Sequence, residues 1–436
     1  MLPTSARFAV SALKNASKDK FKVLVIGAGS GGLSVANQIY NRFKLAGKAL
    51  NDGDVAVMDA ATEHYYQPGW TLVGSGLKTA QETVRPMASL IPRHIAHIQE
   101  NVKAFTPTES FVTTTSGSKV SYDALVVATG LQINWGGIKG LPEALADPRS
   151  GVASIYSYNT APQVWSNIES FRSGKALFTQ PVGVVKCAGA PQKIMWMAWD
   201  RFRRTKRLDN ATIDFYTGLP AMFSVKKYSD ALDQLRKERD IGGYFQHNLI
   251  AIDAAKHVAT FQKADGSIVD TEYTILHATP PMGPLSVMKG QPITDEAGWV
   301  TVDQDTLRHV NPAYGNIFAL GDCSSLPTSK TIAAITAQAP VLTENLFSVM
   351  TTGNVAPGAV YDGYTSCPLL TGYGELMLAE FKYAGIPKET FSFLDQAKSH
   401  RLFYHLKKDF FPAVYWRYMV QGQWFGAKGI FRPSFN

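Results

Sequence analysis

Cysteine is scarce in this 436-residue chain: only Cys187, Cys323 and Cys367 occur, and none lies in a CxxC pair or at the spacing of a zinc or iron–sulfur site. A metal site is not expected. Charged residues make up 18% of the chain against 45% hydrophobic, which excludes a disordered chain, and no apolar run of 18 or more residues occurs, which disfavours a membrane-spanning helix. Repeats of solenoid period and low-complexity blocks are missing as well. At this length two or three domains are expected.

A further absence concerns nucleotide binding. After the strand-like ALFTQP (176–181), where a second dinucleotide fold would carry its own glycine fingerprint, the sequence reads PVGVVKCAGAPQK, and Gly183 and Gly189 do not make GxGxxG. A pyridine nucleotide is therefore not the expected electron donor, and a cysteine stands in the place of the fingerprint.

One complete fingerprint is present near the start. The apolar run FKVLVIG ends at Gly27, and Gly27, Gly29 and Gly32 form GxGxxG before a helical stretch reaching about Phe43. The next strand, VAVMD, ends in Asp59, placed to accept a ribose hydroxyl; the surface insertion KLAGKALNDGD explains its distance from the glycines. A helix N-terminus at such a turn offers unpaired N–H groups to a pyrophosphate. The alternative is that the glycines serve only a turn. Strand-like segments end again at ATG (128–130) and at GNIFALGDC, where Asp322 precedes a helix expected from Lys330 to about Met350. The pattern predicts an α/β protein: a nucleotide domain over 21–150 and 295–360, a second Rossmann-like domain over 151–294 without the NAD fingerprint, and a C-terminal cysteine loop with an interfacial segment over 361–436.

Cys187 and Cys367 each lie among Gly and Pro, as expected of loops that present a side chain. Lys186 and Lys193 are placed to lower the pKa of the Cys187 thiol. Cys323, beside Asp322, reads as a packing residue. Residues 401–436 interleave aromatics (Phe403, Tyr415, Trp416, Trp424, Phe431) with Arg401, Lys407, Lys408, Arg417 and Lys428. That pattern suits the headgroup level of an anionic membrane; core packing and single-stranded nucleic acid are the alternatives, the latter without any accompanying nucleic-acid motif. Residues 1–20, basic and Ser/Ala-containing, read equally as an organelle-targeting remnant or a basic tail.

The segments VKCAGAPQKIM, YQPGWTLVG, GDCSSLPTSKT and YDGYTSCPLLTGY resemble the eukaryotic mitochondrial type of sulfide:quinone oxidoreductase, over nearly the whole chain after residue 20. The resemblance implies two Rossmann-like FAD/NAD(P)-binding domains and FAD held at Gly27, Gly29, Ser30, Gly31, Gly32, Asp59, Gln67 and, through its backbone, Val102. Asp322 and the helix start Lys330, Thr331, Ile332 and Ala333 complete that set. It further implies Cys187 and Cys367 as a redox pair bridged directly or through additional sulfur, Cys187 facing the flavin and Cys367 carrying sulfur. Hydrogen sulfide would be oxidised, ubiquinone reduced, and sulfane sulfur passed to a small acceptor such as glutathione or sulfite. The implied location is peripheral on the mitochondrial inner membrane, with a homodimer as one arrangement. Asp59 replaces a glutamate of some relatives, and either acid accepts a ribose hydrogen bond. The rival readings are an NADH:quinone oxidoreductase of the same fold and a non-catalytic, redox-responsive FAD-binding protein.

Overall fold

A computed structural model describes residues 19–435, so the expected targeting stretch lies outside the described residues except for its last two positions. The first apolar run forms the strand Lys20–Ile26, buried from Val23 to Ile26 on both faces, as a central parallel strand requires. It pairs in parallel with Val55–Met58 on one side and Lys119–Val127 on the other. Ile95–Ile98 extends the sheet beyond Val55–Met58, and Ile317–Ala319, from late in the chain, also pairs in parallel with Lys119–Val127. The antiparallel strands Phe111–Thr114 and Val102–Thr106 complete seven strands.

Between these two visits to the first sheet the chain builds a second one. Its five strands are all parallel, in the order Val152–Ala153, Ile275–His277, Gly174–Gln180, Ala211–Thr217, Gly242–Phe245. The crossover helix Ala190–Arg204 buries Ile194, Met195, Trp196, Ala198 and Phe202. A hairpin, Thr365–Gly372 with Glu375–Phe381, packs on that helix through Cys367, Leu369, Met377 and Ala379. The α/β architecture with two Rossmann-like units is thus realised, and the carboxyl ends of both sheets meet around one cavity, where such folds bind ligands.

The glycine fingerprint sets the approach of the helix Ser30–Leu45 to the first sheet. A Cβ on Gly32 would sit 1.8 Å from the Gly27 carbonyl oxygen, a backbone atom that cannot move aside, whereas a Cβ on Gly29 would meet nothing within 4 Å. Gly32→Ala should therefore destabilise the fold by about 2 kcal/mol or more, and Gly29→Ala should change stability by less than about 1 kcal/mol. Urea unfolding of the two variants checks this; equal midpoints would contradict it.

Candidate active site

The cavity between the sheets has a volume of about 540 Å³, and its walls carry Gly27, Gly29, Ser30, Gly31, Asp59, Gln67, Asp322, Lys330, Thr331, Ile332, Ala333 and Cys187. Three of the expected residues, Gly32, Val102 and Cys367, do not line it. Gly32 lies beneath the turn, and Val102 is buried in the strand Val102–Thr106 among the core of the first sheet. The helix Ser30–Leu45 begins at Gly29 with no side-chain cap and no acid in its first turn, so its first N–H groups remain available to a ligand anion. The second helix pointing at the cavity, Ile332–Thr352, is capped by Thr331, whose hydroxyl accepts from Ala334 N at 3.1 Å.

The acids divide between turn support and ligand contact. Asp59 Oδ2 accepts from Ala28 N at 2.7 Å and Oδ1 from Ala61 N at 2.9 Å, so this carboxylate braces the turn as well as facing the cavity. Asp322 differs. Among the described residues no group hydrogen-bonds its carboxylate; burial pushes its pKa up while Lys186 and Lys330 pull it down. A half-buried carboxylate facing the cavity without a hydrogen-bond partner, an uncapped helix N-terminus and a second helix end in one elongated cavity fit a dinucleotide carrying polyol hydroxyls and a pyrophosphate. FAD has those groups.

Cys187 precedes the helix Ala190–Arg204 in a left-handed conformation, φ 51°, that a non-glycine residue adopts only when held. It is held on both sides: its N–H donates to Lys330 O at 2.8 Å and its carbonyl accepts from Ala190 N at 2.7 Å. Cys367 was expected in a loop and instead lies within the strand Thr365–Gly372, paired with Ala379 and fully buried. The Gly and Pro around it bound and bend a hairpin strand and do not dissolve it. The structure brings the two sulfurs into hydrogen-bond reach. Hydrogen bonding from Cys367, with Lys193 and Lys407 nearby, holds the Cys187 thiol well below its ordinary pKa; the same contact and burial push Cys367 well up. Lys193 Nζ is 3.2 Å from Cys187 Sγ. Cys323 packs elsewhere, its thiol 3.4 Å from the carbonyl oxygens of Val127 and Leu320.

Sequence reasoning missed Lys407. Its basic, aromatic neighbourhood reads as a lipid-facing segment, yet its ammonium is buried at the cavity, 3.3 Å from Pro68 O, and burial together with Lys193 pushes its pKa down to about 7. Lys186 is lowered to about 8 by burial, and its Nζ donates to Gln67 Oε1 at 2.8 Å. The C-terminal hydrophobic residues divide accordingly: Phe403, Tyr404, Tyr415 and Trp416 are buried, while Leu402, Phe410, Tyr418, Ile430 and Phe431 are exposed, Phe431 at 76%. No helix of the described residues is long and apolar enough to cross a membrane.

Comparison with known proteins agrees with this geometry. Residues 21–181 match the family described as pyridine nucleotide-disulphide oxidoreductase. The chain is 48% identical to the mitochondrial sulfide:quinone oxidoreductase of Schizosaccharomyces pombe, with 95% of this chain and 93% of that protein covered. It is 43% identical to the mouse (Mus musculus) protein of the same name, with 96% and 90% covered. Among solved structures, the sulfide:quinone oxidoreductase of Aquifex aeolicus shares the fold at a TM-score of 0.75, with 18% identity and 93% and 92% of the two chains covered. NDH2 of Plasmodium falciparum shares it at 0.64, with 13% identity and 95% and 99% covered. With such identity over nearly its whole length, the chain belongs to the mitochondrial sulfide:quinone oxidoreductases.

Proposed function

We propose that this protein oxidises hydrogen sulfide through Cys187 and Cys367 and passes the electron pair to a quinone, with FAD as its cofactor. The observation that carries the reading is the adjacent thiol pair, Cys187 on the cavity wall and Cys367 buried behind it, with Cys187 held well below its ordinary pKa by the Cys367 hydrogen bond and Lys193, and Cys367 pushed well up. Gly27, Gly29, Ser30 and Gly31 would receive the pyrophosphate, Asp59 and Asp322 would take hydroxyls, and Gln67 with residues 330–333 would border the ring. Val102 would contribute through its backbone, its side chain packing in the core of the first sheet. When bound, FAD supplies the two-electron acceptor for the sulfurs and the two-electron donor for the quinone.

The protein's own groups account for the sulfur chemistry. In the oxidised pair, hydrosulfide attacks the Cys367 sulfur; an S–S bond forms there, and Cys187 leaves as the thiolate that Lys193 stabilises. A small nucleophile such as glutathione or sulfite then takes the outer sulfur from Cys367, and re-forming the Cys187–Cys367 bond releases two electrons. The net reaction converts hydrogen sulfide, a thiol acceptor and quinone into a persulfide and quinol. Lys407, poised near neutrality, is placed to hold or yield a proton beside the two sulfurs. The exposed apolar and basic outer face of the C-terminal segment supports peripheral attachment to an anionic membrane, the mitochondrial inner membrane in this reading.

The NADH-dependent alternative is disfavoured by the same loop, because Cys187 occupies the turn that would need glycines against a nucleotide. Anaerobic sulfide should bleach the flavin and NADH alone should not; rapid bleaching by NADH would overturn the assignment. Serine at Cys187 or at Cys367 should abolish sulfide-dependent quinone reduction, and the double variant should be no worse, while Cys323→Ser keeps FAD and most activity. An active single variant of the pair would show that the pair is wrongly chosen. Removing a cation raises a thiol pKa, so Lys193→Met should move the acidic limb of the sulfide-reduction profile to higher pH by roughly one unit; an unmoved limb would exclude Lys193 from the ionisation. Finally, the combined Leu402→Ser, Ile430→Ser, Phe431→Ser variant should bind anionic phospholipid vesicles about fivefold less while keeping turnover with a water-soluble quinone. Undiminished vesicle binding would refute the membrane face.

A further inference from the structure

The Tyr415 hydroxyl joins two parts of the chain that are 385 residues apart: it lies 2.8 Å from Ser30 Oγ and hydrogen-bonds the Nε2 atom of buried His64. The other ring nitrogen, Nδ1, is 3.0 Å from the Ala28 carbonyl oxygen. A carbonyl only accepts, so Nδ1 carries the proton. Burial lowers the His64 pKa to about 4, which leaves the ring neutral near pH 7 and makes Nε2 an acceptor. Tyr415 must then donate to His64, and its oxygen must accept the Ser30 O–H. Every hydrogen in the relay has one direction: Ser30 to Tyr415, Tyr415 to His64, His64 to Ala28. The relay begins and ends in the glycine turn.

Two further contacts seat the same C-terminal segment along the Ser30–Leu45 helix. Ser34 Oγ donates to Met419 O at 2.9 Å, and Asn37 Nδ2 donates to Val420 O at 3.0 Å. The approach is close enough that a Cβ on Gly422, φ 70°, would lie 2.7 Å from the Asn37 Cβ. Tyr66 packs on the Tyr415 ring at 4.6 Å between centroids, so the ring is fixed apart from its hydroxyl.

We propose that Tyr415 is a positioning residue for the dinucleotide, and that through it the C-terminal segment latches the glycine turn in the shape that receives a pyrophosphate. With the Ser30 hydroxyl proton committed to Tyr415, the turn presents its backbone N–H groups to the anion and cannot collapse onto its own side chain. This inference rests on the reading of the cavity as an FAD site and adds a residue outside the nucleotide fold to it.

The test uses full-length holoenzyme of the wild type, Tyr415→Phe, Ser30→Ala and the double variant, in guanidinium below the unfolding transition. Flavin fluorescence follows FAD release, and far-UV circular dichroism on the same samples follows unfolding. Phenylalanine keeps the ring packing and removes only the hydroxyl. Release from Tyr415→Phe should be about tenfold faster, as the loss of one buried hydrogen bond implies, with the unfolding midpoint unmoved. The double variant should release no faster than Tyr415→Phe, because both changes cut one relay. Release within twofold of wild type, or additive effects that track unfolding, would overturn the latch and leave the FAD reading standing. Wild-type protein that neither carries nor rebinds FAD would overturn both.

Discussion

Two buried ammonium groups, Lys193 and Lys407, meet a pair of thiols at one side of the cavity, Cys187 half-buried on its wall and Cys367 fully buried behind it. Isolated buried charges of this kind cost several kcal/mol each and persist only when paired. The pairing here is asymmetric. Lys193 lies against Cys187, while Lys407, buried and crowded by Lys193, falls to about 7 and can shed its proton. The site therefore balances its charge by moving protons, and it favours a thiolate at Cys187 because an anion is what the lysines need. Chemical reactivity and electrostatic stability have the same cause.

That balance requires four distant stretches of chain to converge. Cys187 and Lys193 flank the start of the Ala190–Arg204 helix, one turn and a half apart; Cys367 comes from the hairpin strand; Lys407 comes from the C-terminal segment; and the Lys330 carbonyl fixes the Cys187 backbone. The left-handed conformation of Cys187 is a local cost of roughly 1–3 kcal/mol. Its two backbone hydrogen bonds offset it. Without that turn the sulfur would follow the helix direction and leave the reach of Cys367.

What could be read from sequence and what could not follow from the range of the interactions. The glycine turn, its strand, its helix and Asp59 are legible because a nucleotide turn is a local solution within about forty residues. Cys187 is legible because it stands where a local pattern breaks. Cys367 is only half legible: its importance shows, but Pro368 and the flanking glycines suggest a loop, whereas cross-strand pairing with Ala379, a long-range term, makes it a strand. Val102, implied by resemblance as a backbone contact, carries no such signal, because its side chain reads only as core. Lys407 is the least legible, since a lysine among aromatics at a chain terminus looks the same whether it faces lipid or a thiolate.

The C-terminal segment shows why its inner and outer faces could not be separated by inspection. Phe403, Lys407, Phe411, Tyr415 and Met419 all turn inward at a spacing of four, with Phe411 only partly buried and the other four buried. In a straight α-helix, with about 3.6 residues per turn, such a series would rotate by about 40° at each step and leave its face within three steps. The helix avoids this by widening: the turns Leu406–Phe410 and Tyr415–Met419 are π-helical, alternating with the α-helical pieces Arg401–His405 and Phe411–Val414. A π turn rotates less per residue, so it cancels the drift of the α turn before it. Lys407, Phe411, Tyr415 and Met419 stay on the cavity, Phe403 packs into the adjoining core, and Leu402 and Tyr418 stay on the outside. A search for 3.6-residue periodicity cannot find a face built on four, so the aromatics look scattered in sequence. In the folded chain they form one wall that is apolar and exposed on its outer surface and lines the cavity on its inner one.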